Sequence, residues 1–139
     1  MSEKSGKIAA MIENFRGQSL DAHYLGYFDC FNRGLYYEAH DVLEELWLPQ
    51  RRRESAAFYK GLIQLAGAFV HLQKNRLGPA AALLKLARAN LEKFPDVHEN
   101  LSVKDVLHLI ESWLGKLESR ENKNNPFSLE TSPKLKLIE

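Results

Sequence analysis

The residues with the clearest potential for chemistry are His40 and Glu44, which stand four positions apart in the segment 36–48. Side chains three and four positions apart lie on the same face of an α-helix, so the two groups point the same way. Trp47 shares this face, and the pattern reads H-x-x-x-E-x-x-W. An imidazole and a carboxylate one helical turn apart can bind the same divalent metal ion. The segment therefore predicts one half of a metal site or of another polar binding site.

The other half must come from elsewhere in the chain, because zinc sites in proteins use at least three protein ligands. His71 is the best candidate for the third ligand, since it lies on the one polar stripe of an otherwise apolar helix. Gln64 lies on the same stripe and is suited to orient a ligand or a water. We therefore predict a divalent metal or small-ligand site; hydrolysis is one use of such a site, and whether the protein is an enzyme stays open. The residues assigned to this hypothesis are the ligands His40, Glu44 and His71 and the supporting or packing residues Gln64, Trp47, Tyr36 and Asn32.

The same side chains also have a purely structural interpretation. His40 would then donate a hydrogen bond to Glu44 or to a backbone carbonyl, and His71 would pair with Gln64 or with the third helix. Such a network fixes helix packing without an ion. The sequence contains no H-E-x-x-H motif, no glycine-rich phosphate loop and no serine or cysteine nucleophile signature. Both interpretations are therefore open at this point.

The elements that carry these residues are all predicted to be helices. The fourth, over about residues 54–74, is apolar almost all round, which is typical of a central buried helix. Pro49 is predicted to end the third helix, and Ser19 and Ser102 are predicted to cap the second and the sixth. The sequence thus predicts an all-α fold, a single compact bundle of five to six helices over residues 1–120.

Composition limits the classes of partner. Lys and Arg number 19 against 18 Asp and Glu, a balance that argues against nucleic acid and against acidic membrane surfaces. Three consecutive arginines at positions 51–53 can hold an anion, although such a charged loop is more often simply solvated. Cys30 is the only cysteine, and no export signal or long apolar run is present. We therefore expect a cytoplasmic protein that does not enter membranes.

The composition changes after residue 120. Residues 121–139 contain two prolines and several asparagines, which oppose a helix, so we expect a flexible tail that is disordered or lies along the surface. Leu135, Leu137 and Ile138 would need cover from the same domain or from a second copy of the chain. The sequence therefore leaves open whether the protein forms a homo-oligomer or binds a protein partner.

The sequences of two predicted turns between helices indicate a second functional class. Asn32-x-Gly34-x-Tyr36 resembles the turn of a tetratricopeptide hairpin, and Asn75-x-x-Gly78 resembles it more loosely. If helices two with three and four with five form stacked hairpins, the molecule is a small protein-interaction module. His40, Glu44 and His71 would then form a structural hydrogen-bond network.

The chain resembles a known family of small helical proteins from bacteria and archaea, catalogued as domain of unknown function 309. The resemblance rests on two separated motifs that occur in the same order as in that family. The resemblance covers about residues 20–94 and implies a helical bundle with His40, Glu44 and Trp47 as signature residues, a motif suggested to bind metal. It implies no substrate and no reaction. Asp41 stands where many relatives carry Glu. The motifs are Phe31-Asn32-x-Gly34-x-Tyr36-x-Glu38-Ala39-His40-Asp41-x-Leu43-Glu44-x-x-Trp47 and Phe58-Tyr59-x-Gly61-Leu62-Ile63-Gln64-x-Ala66, followed by His71.

Overall fold

The computed structural model of the protein describes residues 3–119 and 124–139, and within them the fold consists of six α-helices. Two short 3₁₀ helices and one pair of two-residue antiparallel strands complete the regular structure. The predicted all-α class is confirmed. The α-helices are α1 (Glu3–Ile12), α2 (Ala22–Asn32), α3 (Tyr36–Trp47), α4 (Ala56–Gln73), α5 (Leu77–Leu91) and α6 (Val103–Glu118); the 3₁₀ helices are Glu13–Phe15 and Leu48–Gln50, and the strands are β1 (Val97–His98) and β2 (Leu101–Ser102).

The central element is α4, which packs against both α3 and α5. α2 packs against α3, and α6 packs against α5. The apolar sequence of α4 explains this position, because a helix that is apolar on most of its surface is stable only when neighbours cover it. No helix in the described ranges is long and apolar enough to span a membrane. The buried residues of α4 are Ala56, Phe58, Gly61, Leu62, Ile63, Leu65, Ala66, Ala68, Phe69 and Leu72.

The second helix begins later than predicted, and the assignment of Ser19 as its N-cap is wrong. Asp21 caps α2, because its Oδ1 accepts a hydrogen bond from the N–H of His23 at 2.7 Å. A carboxylate is also favoured at this position by the positive end of the helix dipole. Ser102 caps α6 as predicted, with its hydroxyl accepting from the N–H of Asp105 at 3.2 Å.

Close contact between α4 and α5 depends on Gly61. A Cβ atom at this position would lie 2.9 Å from Cγ of Leu91 and 3.3 Å from Cβ of Asn90. The absence of a side chain at Gly61 therefore lets α5 approach α4 closely. This approach also brings side chains of α4 and α5 into hydrogen-bonding range of each other.

The described part of the C-terminal segment, residues 124–139, lies against the same bundle. Leu135 is buried, Leu137 forms an isolated antiparallel bridge with Leu101, and the Phe127 ring contacts the rings of Tyr36 and Trp113. These contacts cover Phe127, Leu135 and Leu137 within one chain, whereas Ile138 is 46% exposed. The division of the chain at residue 120 remains a prediction, and residues 120–123 lie outside the described residues.

Candidate functional site

His40 lies in a charged cluster on the surface of α3. Its Nδ1 is 3.1 Å from Oδ1 of Asp41, and its Nε2 is 3.5 Å from Oε2 of Glu44. Lys4 reaches the same carboxylates from α1, with its Nζ 3.2 Å from Asp41 and 3.5 Å from Glu44. The structure therefore brings His40 and Glu44 together, as the spacing predicts. It also supplies a cation for Glu44 from within the chain.

A cavity of about 430 Å³ lies between α3, α4 and α5, and we call it the histidine cavity because both His40 and His71 line it. Gln64 lines it as well. Three of the four predicted polar side chains thus meet at one cavity, although they come from two helices. The remaining lining residues are Tyr37, Lys60, Ile63, Gly67, Val70, Leu83 and Leu86.

Glu44 lies apart from this cavity. It lines a neighbouring depression of about 440 Å³ together with Lys4 and Asp41. The predicted ligand set of His40, Glu44 and His71 is therefore not assembled, and no group of three or more His, Cys, Asp or Glu side chains within residues 3–119 and 124–139 is placed to hold a metal ion. The physical reason is that Glu44 faces Lys4 of α1, whereas His71 lies in the last turn of α4.

His71 is polar but incompletely paired. Its Nδ1 is buried and has no hydrogen-bond partner in the described part of the chain. Gln64, one of the two partners predicted for His71, accepts a hydrogen bond from Nδ2 of Asn90 at 2.8 Å. Desolvation lowers the pKa of His71, and the positive charges of Arg76 and Lys74 lower it further. The ring is therefore neutral at pH 7 and keeps both a donor and an acceptor nitrogen.

Comparison with known proteins finds a family model that covers these residues. Residues 24–83 match the family model described as domain of unknown function (DUF309). Over this segment, which is less than half of the chain, the protein is similar to the DUF309 family. The matched segment runs from α2 into α5, and it therefore contains His40, Glu44, Gln64 and His71. This similarity carries no substrate or reaction, so the chemistry of the site must be argued from its geometry.

One relative of the chain is an uncharacterized protein of Aquifex aeolicus (strain VF5), 28% identical over 88 residues. The aligned region is 63% of this chain and 26% of the relative, so this chain matches about a quarter of that protein's length. No solved structure matches the chain.

Trp47, the third residue of the H-x-x-x-E-x-x-W pattern, connects α3 to α4. The ammonium group of Lys60 lies 4.4 Å from the centroid of the Trp47 ring, a cation–π contact. Lys60 also lines the histidine cavity. Trp47 thus contacts a cation, Lys60, that lines the cavity.

Tyr36 and Asn32, the other two residues assigned to the site, serve packing. Tyr36 is buried, with its ring against those of Phe31 and Phe69, and burial raises the pKa of its hydroxyl to about 12. Asn32 binds the backbone of Leu135. These two motif residues therefore stabilise the bundle and the position of its C-terminal segment.

The apolar wall of the cavity was not predicted from the sequence. Tyr37 is 58% exposed and stacks on His40 with a ring separation of 6.3 Å, and Leu86 is 51% exposed on the opposite helix. The three-residue spacing of Tyr37 and His40 was a usable signal, because it places both on one face of α3. Leu86 carried no comparable signal, since its role depends on how α5 packs against α4.

Proposed function

We propose that the histidine cavity binds a small organic ligand, with His40, Gln64 and His71 as its polar contacts. The observation that carries the proposal is that both imidazoles and the Gln64 amide line one cavity of about 430 Å³. Ligand pockets in proteins commonly measure about 300–1,000 Å³ and combine apolar walls with a few convergent polar groups. Tyr37, Leu86 and their apolar neighbours supply such walls.

The chemistry of the lining favours a ligand with an apolar body and an acidic or hydrogen-bond-accepting group. Lys60 contributes a positive charge, and the neutral ring of His71 contributes one donor and one acceptor. The two exposed hydrophobic side chains, Tyr37 and Leu86, offer contact area to the apolar part. A small aromatic carboxylate has both properties.

Divalent metal binding is a second candidate, and the pairing of His40 with Glu44 favours it. Their Nε2 and Oε2 atoms are 3.5 Å apart, a separation at which two side chains can share one ion after a small rearrangement. His71 would have to approach, and Glu44 would have to leave Lys4. A hydrolytic reaction would follow only from this second candidate, because a metal-bound water supplies the nucleophile.

The first candidate is tested by titrating isotope-labelled protein with phenylacetate and following backbone amide resonances. We expect saturable shifts at Gly67 and His71, and weaker binding in His71→Phe. His108→Phe is the matched control, because His108 is exposed on α6. Absence of saturable shifts with a panel of aromatic carboxylates, or equal affinity in His71→Phe, would contradict the proposal.

The metal candidate is tested separately, by metal analysis of protein purified without chelator and then incubated with zinc or manganese. A stoichiometric ion in the wild type, lost in His40→Ala, would support it. Equal metal content in both proteins would exclude these ligands.

A further inference from the structure

A second concave surface lies beside the histidine cavity, where the loop after α3 meets the first turn of α4 and the end of α5. We call it the basic groove. Its volume is about 690 Å³, and its lining includes Trp47, Arg51, Arg53, Lys60, Lys93 and Phe94. Lys60 borders both the groove and the cavity. The DUF309 motif explains only Trp47 among these residues.

The four cations of the groove have no carboxylate partner in the described part of the chain. Glu54 is the one acidic residue of the lining. The groove therefore carries a local excess of positive charge, although the formal net charge of the whole chain is only +1. Within the described residues, the lysines and arginines that do form ion pairs with Asp or Glu are Lys4, Arg16, Arg33, Lys85 and Arg88.

Several of these cations are held in place by uncharged partners. Arg51 donates to the carbonyl of Leu48 at 2.9 Å, and Lys93 donates to Oδ1 of Asn90 at 3.2 Å. Lys60 lies over the Trp47 ring. An arginine has five N–H donors, so one hydrogen bond to a carbonyl leaves most of them free. The groove therefore presents positioned donors whose charge is not neutralised by the protein.

We propose that the basic groove binds a phosphorylated small molecule, with Arg51, Arg53 and Lys93 contacting its phosphates. Guanidinium groups match phosphate oxygens in geometry and charge. Trp47 and Phe94 form an apolar wall beside the cations, which suits a planar ring attached to the phosphates. The volume lies in the range of small-molecule pockets. A nucleic acid polymer is less well matched, because it would need cations along an extended surface and the chain is almost neutral.

This proposal does not depend on a ligand in the histidine cavity. The histidine cavity and the basic groove are separated by a hydrogen-bonded pair, Gln64 and Asn90. Gln64 lines the cavity and Asn90 lines the groove. A substitution at Arg53 or Lys93 therefore leaves His40 and His71 untouched. The two sites can be tested one at a time.

The test is isothermal titration calorimetry of the full chain with ATP, inorganic pyrophosphate and adenosine. We expect saturable binding of ATP, weaker binding of pyrophosphate and the weakest binding of adenosine. Arg53→Gln and Lys93→Gln should each weaken ATP binding about tenfold, the typical loss for one hydrogen bond to a charged group. Arg52→Gln is the matched control, since Arg52 is exposed in the same loop but does not line the groove.

Binding should also weaken as the salt concentration rises, because the contacts are partly exposed. Three results would overturn the proposal. They are the absence of saturable binding of both ATP and pyrophosphate, an equal loss in Arg52→Gln and Arg53→Gln, or a single-stranded oligonucleotide that binds through the same residues far more tightly than ATP. The variants change exposed side chains, so circular dichroism should show an unaltered helix content.

Discussion

The side-chain amide of Asn32 makes two hydrogen bonds with the backbone of Leu135, more than a hundred residues further along the chain. Its Nδ2 donates to the Leu135 carbonyl at 2.7 Å, and its Oδ1 accepts from the Leu135 N–H at 2.7 Å. The amide thus makes with Leu135 the pair of hydrogen bonds that the backbone of a neighbouring β-strand would make. It fixes the C-terminal segment where Leu135 is buried and Phe127 reaches the aromatic core.

Replacing Asn32 with Ala should release this segment. Both hydrogen bonds are lost, and a partly buried backbone N–H and C=O are left unpaired, which typically costs about 1–3 kcal/mol. We expect hydrogen exchange at Leu135 and its neighbours to become faster by one to two orders of magnitude, measured by mass spectrometry. Gln73→Ala is the control, because Gln73 also donates to a backbone carbonyl, that of Gly34. Equal exchange in the two variants would contradict this role.

Two glycines should respond to alanine in opposite directions. At Gly61 the added methyl group would lie 2.9 Å from Leu91, and such overpacking typically costs about 1–3 kcal/mol. At Gly115, within α6, nothing lies within 4 Å of an added Cβ. There alanine should stabilise the protein by about 0.5–1 kcal/mol through helix propensity. Urea unfolding of both variants measures the difference, and a shift of the same sign in both would contradict the assigned contact.

The helices could be predicted because their signals are local. The apolar surface of α4 identifies it as central, and the spacing of His40 and Glu44 gives their proximity on α3. The start of α2 was misplaced because Ser19 and Asp21 are both good caps, and only the backbone decides between them. Such errors are confined to the ends of elements.

The partners of the site residues could not be predicted, because they depend on how helices pack. Glu44 pairs with Lys4 of α1, and nothing in α3 indicates which face α1 will cover. Gln64 pairs with Asn90 because Gly61 lets α5 approach α4 closely. The basic groove brings together residues from three segments of the chain, so its charge is not visible in any one of them.

Tyr27 contributes to stability through one buried hydrogen bond. Its hydroxyl is fully buried and donates to the carbonyl of Leu62 at 2.7 Å. Tyr27→Phe should therefore lower the free energy of unfolding by about 1 kcal/mol, the usual net contribution of such a bond. Tyr37→Phe is the matched control, since Tyr37 is largely exposed and its substitution should change stability by less than about 0.5 kcal/mol. Urea unfolding measures both, and equal effects would contradict the prediction.

His71 should make the protein less stable in mild acid. Desolvation, with the charges of Arg76 and Lys74, lowers its pKa in the folded state, whereas the unfolded chain has the ordinary value of about 6.5. Below that pH the unfolded state binds a proton that the folded state does not, so the free energy of unfolding falls as the pH drops. His71→Gln should lose less stability than the wild type between about pH 7 and pH 5. His108→Gln, which alters an exposed histidine, should follow the wild type. Parallel pH profiles for the wild type and His71→Gln, measured by urea unfolding, would show that the buried Nδ1 carries no such cost.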